Sequence, residues 1–317
     1  MPRPNRTPAT APSFAPATTT EERFLLGPRH LDQWLEEADA LSSSTAVPER
    51  SALADIWRAA QTEYARLART EAGAADGAII RPLPKTMAKH IEQLVALEGV
   101  RRTFDTVPVA FGLVPLDALI VSQYSMTQAV VERITAAHPL PIGPKRLAEL
   151  CLPLQAPAAD FRLAGRSGTA FTFVADAHDM RFLDAQVLEA TQVQQAPVMG
   201  HPKAVVALSV GFSANLLNVV RFNGRVALNN GHHRALALRA MGLTHAPCLI
   251  QPCASMEDVQ QAGSGEVVAQ ADLYFDAPRP PLLRDFDNPL LTHRFAAARM
   301  RRVLTLKLDI QRRLMAI

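Results

Sequence analysis

The sequence predicts an α+β protein in which an α/β domain follows a helical subdomain. Three observations carry this expectation. Two apolar, β-branched runs, 216–222 and 225–229, flank Asn223-Gly224. A stretch with helical spacing follows them and closes on Gly242. The first hundred residues carry apolar stripes at the period of a helix.

Taken in order, residues 1–20 are rich in Pro, Ala and Thr and lack the apolar core of a secretory signal, so a disordered tail is expected there. A helical subdomain is expected over 21–105. Its first helix covers 21–41, with Phe24, Leu25, Leu31, Trp34, Leu35 and Leu41 and an interruption near Gly27-Pro28. The second covers 49–71 and sets Leu53, Ile56, Trp57, Ala60, Tyr64 and Leu67 along one face. A third, over 84–98, carries Met87, Ile91, Leu94 and Val95.

Residues 106–255 read as the α/β domain, with an insertion near 140–200. Residues 139–170 show no strong period. Residues 171–175 read as a strand, followed by Asp176, His178 and Asp179. Such a trio could bind a metal or serve as acid and base, although a polar turn is its commoner role. Asn-Gly between apolar runs is a strong hairpin signal, because both residues tolerate positive φ in a type I′ turn.

After the hairpin, Asn230 is expected to cap a helix carrying Leu236, Ala237, Ala240 and Met241, ended by Gly242 in the left-handed conformation. Residues 246–251 supply a returning strand. Strand, helix and strand would form a right-handed βαβ unit, placing Gly231 at the carboxyl end of its strand. Open α/β sheets bind ligands at that end.

The remaining 256–317 is expected to be an extension with a basic strand, and 276–289, with its Pro and Asp residues, to wrap the surface. Between Arg294 and Arg313, six Arg and Lys307 stand against Asp309 alone. That run is either a footprint for nucleic acid or a solvated strand interleaved with Val303, Leu304, Leu306 and Leu308.

The chemistry concentrates in Asn230-Gly231-His232-His233-Arg234. The first amides of a helix lack partners and its N-terminus carries partial positive charge. Gly231 lets a ligand approach the backbone, Arg234 offers a planar multidentate donor, and the histidines exchange protons near neutral pH. A phosphate suits this set. His232 and His233 are the candidate catalytic groups, and Asp117 and Glu132 are carboxylates in the same presumed domain. Two adjacent histidines at a helix start could equally be capping, solvated residues. Zinc ligation by His232, His233 and His245 fits by residue type, but adjacent histidines splay around a helix and no metal set is assigned. Arg239, near the end of the helix, offsets the macrodipole. Arg234→Ala is expected to abolish anion binding and leave the fold intact.

The segment Asn-Asn-Gly-His-His-Arg-Ala-Leu-Ala-Leu-Arg-Ala-Met-Gly, with an Ala-Pro strand after it, resembles the phosphate-binding motif of the ParB/sulfiredoxin-like superfamily. The likeness covers about 204–251, with an echo in Val114-Pro115-Leu116-Asp117-Ala118-Leu119, similar to the family's opening strand. It implies a ParB/sulfiredoxin-like domain that grips nucleotide phosphate, with ATP or CTP and Mg²⁺ as the ligands. Phosphotransfer or nucleotide hydrolysis would be the associated reaction. A DNA-associated module or nuclease contacting backbone phosphate is the alternative, and a scaffold with a structural turn a third. The sequence also departs from the family. His232 stands where sulfiredoxins carry a catalytic Cys. Gly231-His232-His233-Arg234 replaces the Gly-Glu-Arg-Arg of partition CTPases. Asn230 stands where the nucleases and serine kinases often have Asp, and no helix-turn-helix pattern follows residue 255.

Composition sets outer bounds. The 317 residues, 48% apolar and 20% charged, suit a globular protein with a sizeable core. No run of about 18 apolar residues is present, so no membrane span is expected. Cys151, Cys248 and Cys253 form neither a disulfide framework nor a CxxC motif, which makes the cytoplasm the expected compartment and Cys248 a core residue. A net charge of +3 does not by itself imply nucleic acid.

Overall fold

The computed structural model describes residues 19–41, 49–155, 161–176, 180–193, 201–212, 214–298 and 301–315. Most of the tail expected over 1–20 lies outside these residues, as do His178 and Asp179. Among the described residues, β1 (Thr19–Leu25) leads to α1 (Leu31–Leu41) and α2 (Arg50–Thr70). Helices α3 (Ala88–Ala96) and α4 (Glu98–Thr103) precede strands β2 (Ala110–Pro115), β3 (Leu119–Val121) and β4 (Ser125–Thr127). There follow α5 (Gln128–Ala137), α6 (Pro144–Cys151), β5 (Phe161–Ser167), β6 (Ala170–Ala175), β7 (Met180–Glu189) and β8 (Ala204–Phe212). The chain continues through β9 (Asn218–Phe222), β10 (Arg225–Asn230), α7 (His232–Ala240) and β11 (His245–Pro252). It ends with α8 (Met256–Ala262), α9 (Gly265–Ala269), α10 (Ala271–Phe275), β12 (Thr292–Ala298) and β13 (Arg302–Lys307). The fold class is α+β.

Two compact units result. The larger takes its described residues from 18–155 and 214–299, the smaller from 156–213 and 300–317. In the smaller unit β6 lies between β13 and β5, and β7 pairs with β8 in a long antiparallel ribbon. The extension expected over 256–317 is therefore divided: β12 belongs to the larger unit and β13 to the smaller. No described helix is long and apolar enough to cross a membrane.

The larger unit is built on a five-stranded sheet in the order β2-β11-β9-β10-β3. Side chains alternate across a strand, so each strand can feed two cores. Val219, Val226 and Leu228 enter one core with Leu94, Val131, Cys151 and Leu236. Val220 and Ala227 enter another with Ile120, Val259, Val267, Tyr274 and Phe275. A sheet buried on both faces explains the near-continuous apolar runs that flank Asn223-Gly224. Asn223 (φ 50°) and Gly224 (φ 77°) adopt the expected left-handed turn.

Several expectations are corrected. The stretch read as one helix over 21–41 is a strand and a helix. Residues 19–25 lie between β12 and β4 in a second sheet of this unit, and only Leu31–Leu41 is helical. Phe24 and Trp34 still share one apolar cluster with Leu53 and Ala60, which is why their spacing read as a single face. The 21–105 region is thus not wholly helical. Segment 139–170, without visible period, holds α6 and β5. The expected βαβ unit is absent: β10 runs antiparallel to β9 while β11 runs parallel to it, so β10 and β11 oppose each other. Residues 276–289 do not wrap the surface either. Leu282, Leu283 and Phe286 are buried, and Arg279, 2% exposed, pairs with the buried Asp285.

Candidate functional site

The Gly231 turn is reached by two adjacent parallel strands. β3 and β10 pair from Leu119 with Val226 to Val121 with Leu228, so their carboxyl ends open at the same sheet edge. One delivers the 122–127 segment and the other the Asn230–His233 turn. The β9–β10 register shifts between Leu228 and Asn230, leaving Asn229 as a bulge. Its side chain donates to Ala262 O (3.1 Å) and accepts from Ser264 N (2.6 Å). Asn230 accordingly remains in the strand, opposite Asn218, and does not cap the helix. Gly231 stands at that position with φ 95°, and no side chain caps the helix there. A Cβ on Gly231 would lie 3.1 Å from Leu217 Cα, so only glycine fits both the conformation and the space.

His232 is 6% exposed and faces inward. Its Nε2 accepts from Ser122 N at 3.3 Å and lies 3.2 Å from Ser122 Oγ, which itself donates to Leu228 O at 2.9 Å. Burial, and then the neighbouring His233, hold its pKa down to about 3, so the ring is neutral. It is a clasp between the two strand ends and does not offer a proton to the turn. His233 is half-buried, and its Nε2 accepts from Thr127 N at 3.1 Å. Thr127 in turn donates its hydroxyl to Glu22 Oε1 at 2.6 Å, and burial raises the Glu22 pKa.

Arg234, expected to hold phosphate, is 8% exposed, and its Nη2 lies beside Gly231, 3.2 Å from where a Cβ there would stand. Its Nη1 donates to the carbonyls of Leu150 (3.2 Å), Cys151 (3.3 Å) and Asn215 (2.7 Å). Its Nη2 donates to Asn215 Oδ1 at 2.8 Å. Leu150 and Cys151 end α6, so the cation meets the negative end of that helix. These bonds give Arg234 a supporting role, so Arg234→Ala is expected to destabilise the fold.

The other candidates lie elsewhere. Asp117 bonds Arg239 Nε at 2.8 Å, and Asp287 takes the other arm of that arginine. Helix α7 has nine residues, so Arg239 lies about 10 Å along the axis from the turn. Arg239 lies in the last turn of α7, as expected, and these two carboxylates hold it as well. Glu132 accepts from Gln128 on α5. His245 opens β11 and contacts Thr244, so the three histidines of the zinc option are not gathered. No group of three or more His, Cys, Asp or Glu side chains that could hold a metal ion occurs among the described residues. Asp176 pairs with Arg301, and Arg294 with Glu21. Cys248 is fully buried, as expected of a core residue.

No family model matches this chain. No curated protein and no solved structure matches it either.

The sequence did not single out Ser122, Thr127, Glu22 or Asn215, and it gave Asn229 no role beyond its place in the motif. A polar Ser-Gln directly after the apolar Leu119–Val121 was the local sign that a strand ends there.

Proposed function

We propose that this chain binds a nucleotide or another phosphate ligand, held on the backbone amides of the Gly231 turn. The reading rests on one observation: two parallel strands end side by side, with a left-handed glycine and a helix start between them. Backbone amides at such a start favour an anion without any arginine in contact. Asn230 and His233 flank the turn and would orient the ligand. His232 and Arg234 act as positioning residues that hold the turn against β3 and α6. ATP or CTP are the triphosphates of choice, as the motif's likeness to the ParB/sulfiredoxin-like superfamily implies. Mg²⁺ would arrive on the nucleotide's own phosphates, since no set of side chains among the described residues is gathered to hold a metal ion. The compartment this reading supposes is the cytoplasm, where the three unbridged cysteines would stay reduced.

Calorimetric titration with ATP, CTP and GTP, with and without Mg²⁺, tests the reading. Asn230→Asp places a negative charge beside the turn, and the Asn230 side chain makes no hydrogen bond among the described residues that the change would break. Saturable binding of one triphosphate, weakened at least tenfold (about 1.4 kcal/mol) in Asn230→Asp, supports it. Equal affinity in both proteins, or no nucleotide binding at all, overturns it. Steeply salt-dependent binding of DNA in the latter case would point to the nucleic-acid alternative.

A further inference from the structure

The larger unit carries a second cationic site that the turn does not account for. A groove of about 450 Å³ is lined by Arg23, Phe286, Asp287, Pro289, Thr292 and Arg294. That volume suits a small molecule. Arg23 on β1 and Arg294 on β12 are directly opposite in the antiparallel register. Like charges at opposed positions destabilise a strand pair. Arg23 makes the problem sharper because its side chain is only 11% exposed.

The protein's own groups compensate it poorly. Arg23 Nη2 donates to Gln128 Oε1 at 2.8 Å, but Nη1 reaches Phe286 O only at 3.4 Å. The nearest carboxylate, Asp287, is 3.8 Å away and is drawn by Arg239 through its other oxygen. Arg23 Nε is buried with no hydrogen-bond partner among the described residues. Burial and, after it, the charge of Arg294 lower the Arg23 pKa. Arg294 is half exposed and meets Glu21 at 3.3 Å. A buried cation that lacks a matched counter-ion is costly to keep.

We propose that this groove binds a small anion bearing carboxylate or phosphate groups, clamped between Arg23 and Arg294. Guanidinium forks suit either oxyanion, because both present paired oxygens at the spacing of the N–H donors. An anion set between the two arginines turns their repulsion into shared attraction. The site is separate from the Gly231 turn and does not depend on phosphate binding there.

The experiment titrates the full chain with inorganic phosphate and, separately, with citrate, following binding by calorimetry. Arg294→Gln removes the exposed half of the clamp and leaves a shorter, uncharged polar side chain. Arg23→Gln removes the buried half, with circular dichroism to establish that it folds. The proposal expects saturable binding of at least one probe, weakened tenfold or more in Arg294→Gln and unchanged in Asn230→Asp. Preference for phosphate or for citrate then names the oxyanion. No binding of either probe, or unchanged affinity in Arg294→Gln, overturns the proposal. Loss in Asn230→Asp with retention in Arg294→Gln also overturns it, since the probe would then sit at the turn.

Discussion

His232 shows how one neutral side chain can join two strand ends. Its ring is neutral because burial disfavours the charged form, and its Nε2 bonds an amide of the neighbouring strand end. The unfolded chain takes up a proton near the ordinary value of 6.5, while the folded chain refuses it until about 3. Stability from this residue is therefore complete above pH 6.5 and is lost as the pH falls through that window. The slope reaches at most about 1.4 kcal/mol per pH unit. His232→Gln keeps an acceptor but cannot titrate. Urea unfolding of the two proteins between pH 7 and about 4 should give a flatter stability curve for the variant. Parallel curves would mean that His232 does not refuse the proton.

At the scale of elements, Arg234 is the tie. It begins in α7, reaches the last carbonyls of α6, and holds the Asn215 backbone and side chain. Leu217, two residues on, closes against both Cys151 and Leu249, so a single guanidinium steadies the floor under the turn. Arg234→Ala would leave three carbonyls without this charged donor. A loss of about 2–3 kcal/mol in chemical unfolding is expected. A loss below about 0.5 kcal/mol would show that the tie is dispensable. The same scale explains the misread first helix. Phe24 and Leu25 fit a helical stripe with Trp34, but β12 supplies a strand partner for residues 19–25, and that pairing satisfies their backbone.

Across the larger unit, residues far apart in sequence meet in a buried charge network. Arg279 pairs with Asp285 through both guanidinium arms and also bonds Glu71, 208 positions away. Arg284 meets the same glutamate at 2.7 Å. Removing one partner of a buried pair leaves an uncompensated charge. Arg279→Met should thus cost about 3–5 kcal/mol in equilibrium unfolding. A change under 1 kcal/mol would show that water relieves Asp285. This network is why a segment rich in Pro and Asp, which read as surface, lies inside: its charges bring their counter-ions with them.

The hairpin at Asn223-Gly224, the left-handed Gly242, helix α7 and helix α2 were all legible, because each depends on neighbours within a few positions, whereas the left-handed Gly231 at the cap expected of Asn230 was not. Steric limits on φ and the period of apolar residues act at that range. The identity of the five turn residues was legible too, but the direction of their side chains was not. Whether Arg234 points to a ligand or to Leu150, and whether His232 faces solvent or Ser122, depends on a helix end and a strand end that arrive from 84 and 110 positions away. Long-range pairing likewise decided that β10 and β11 oppose each other and that residues 19–25 form a strand. Local propensities leave such choices nearly balanced. Satisfying buried backbone groups and buried charges, which only the assembled chain can do, settles them.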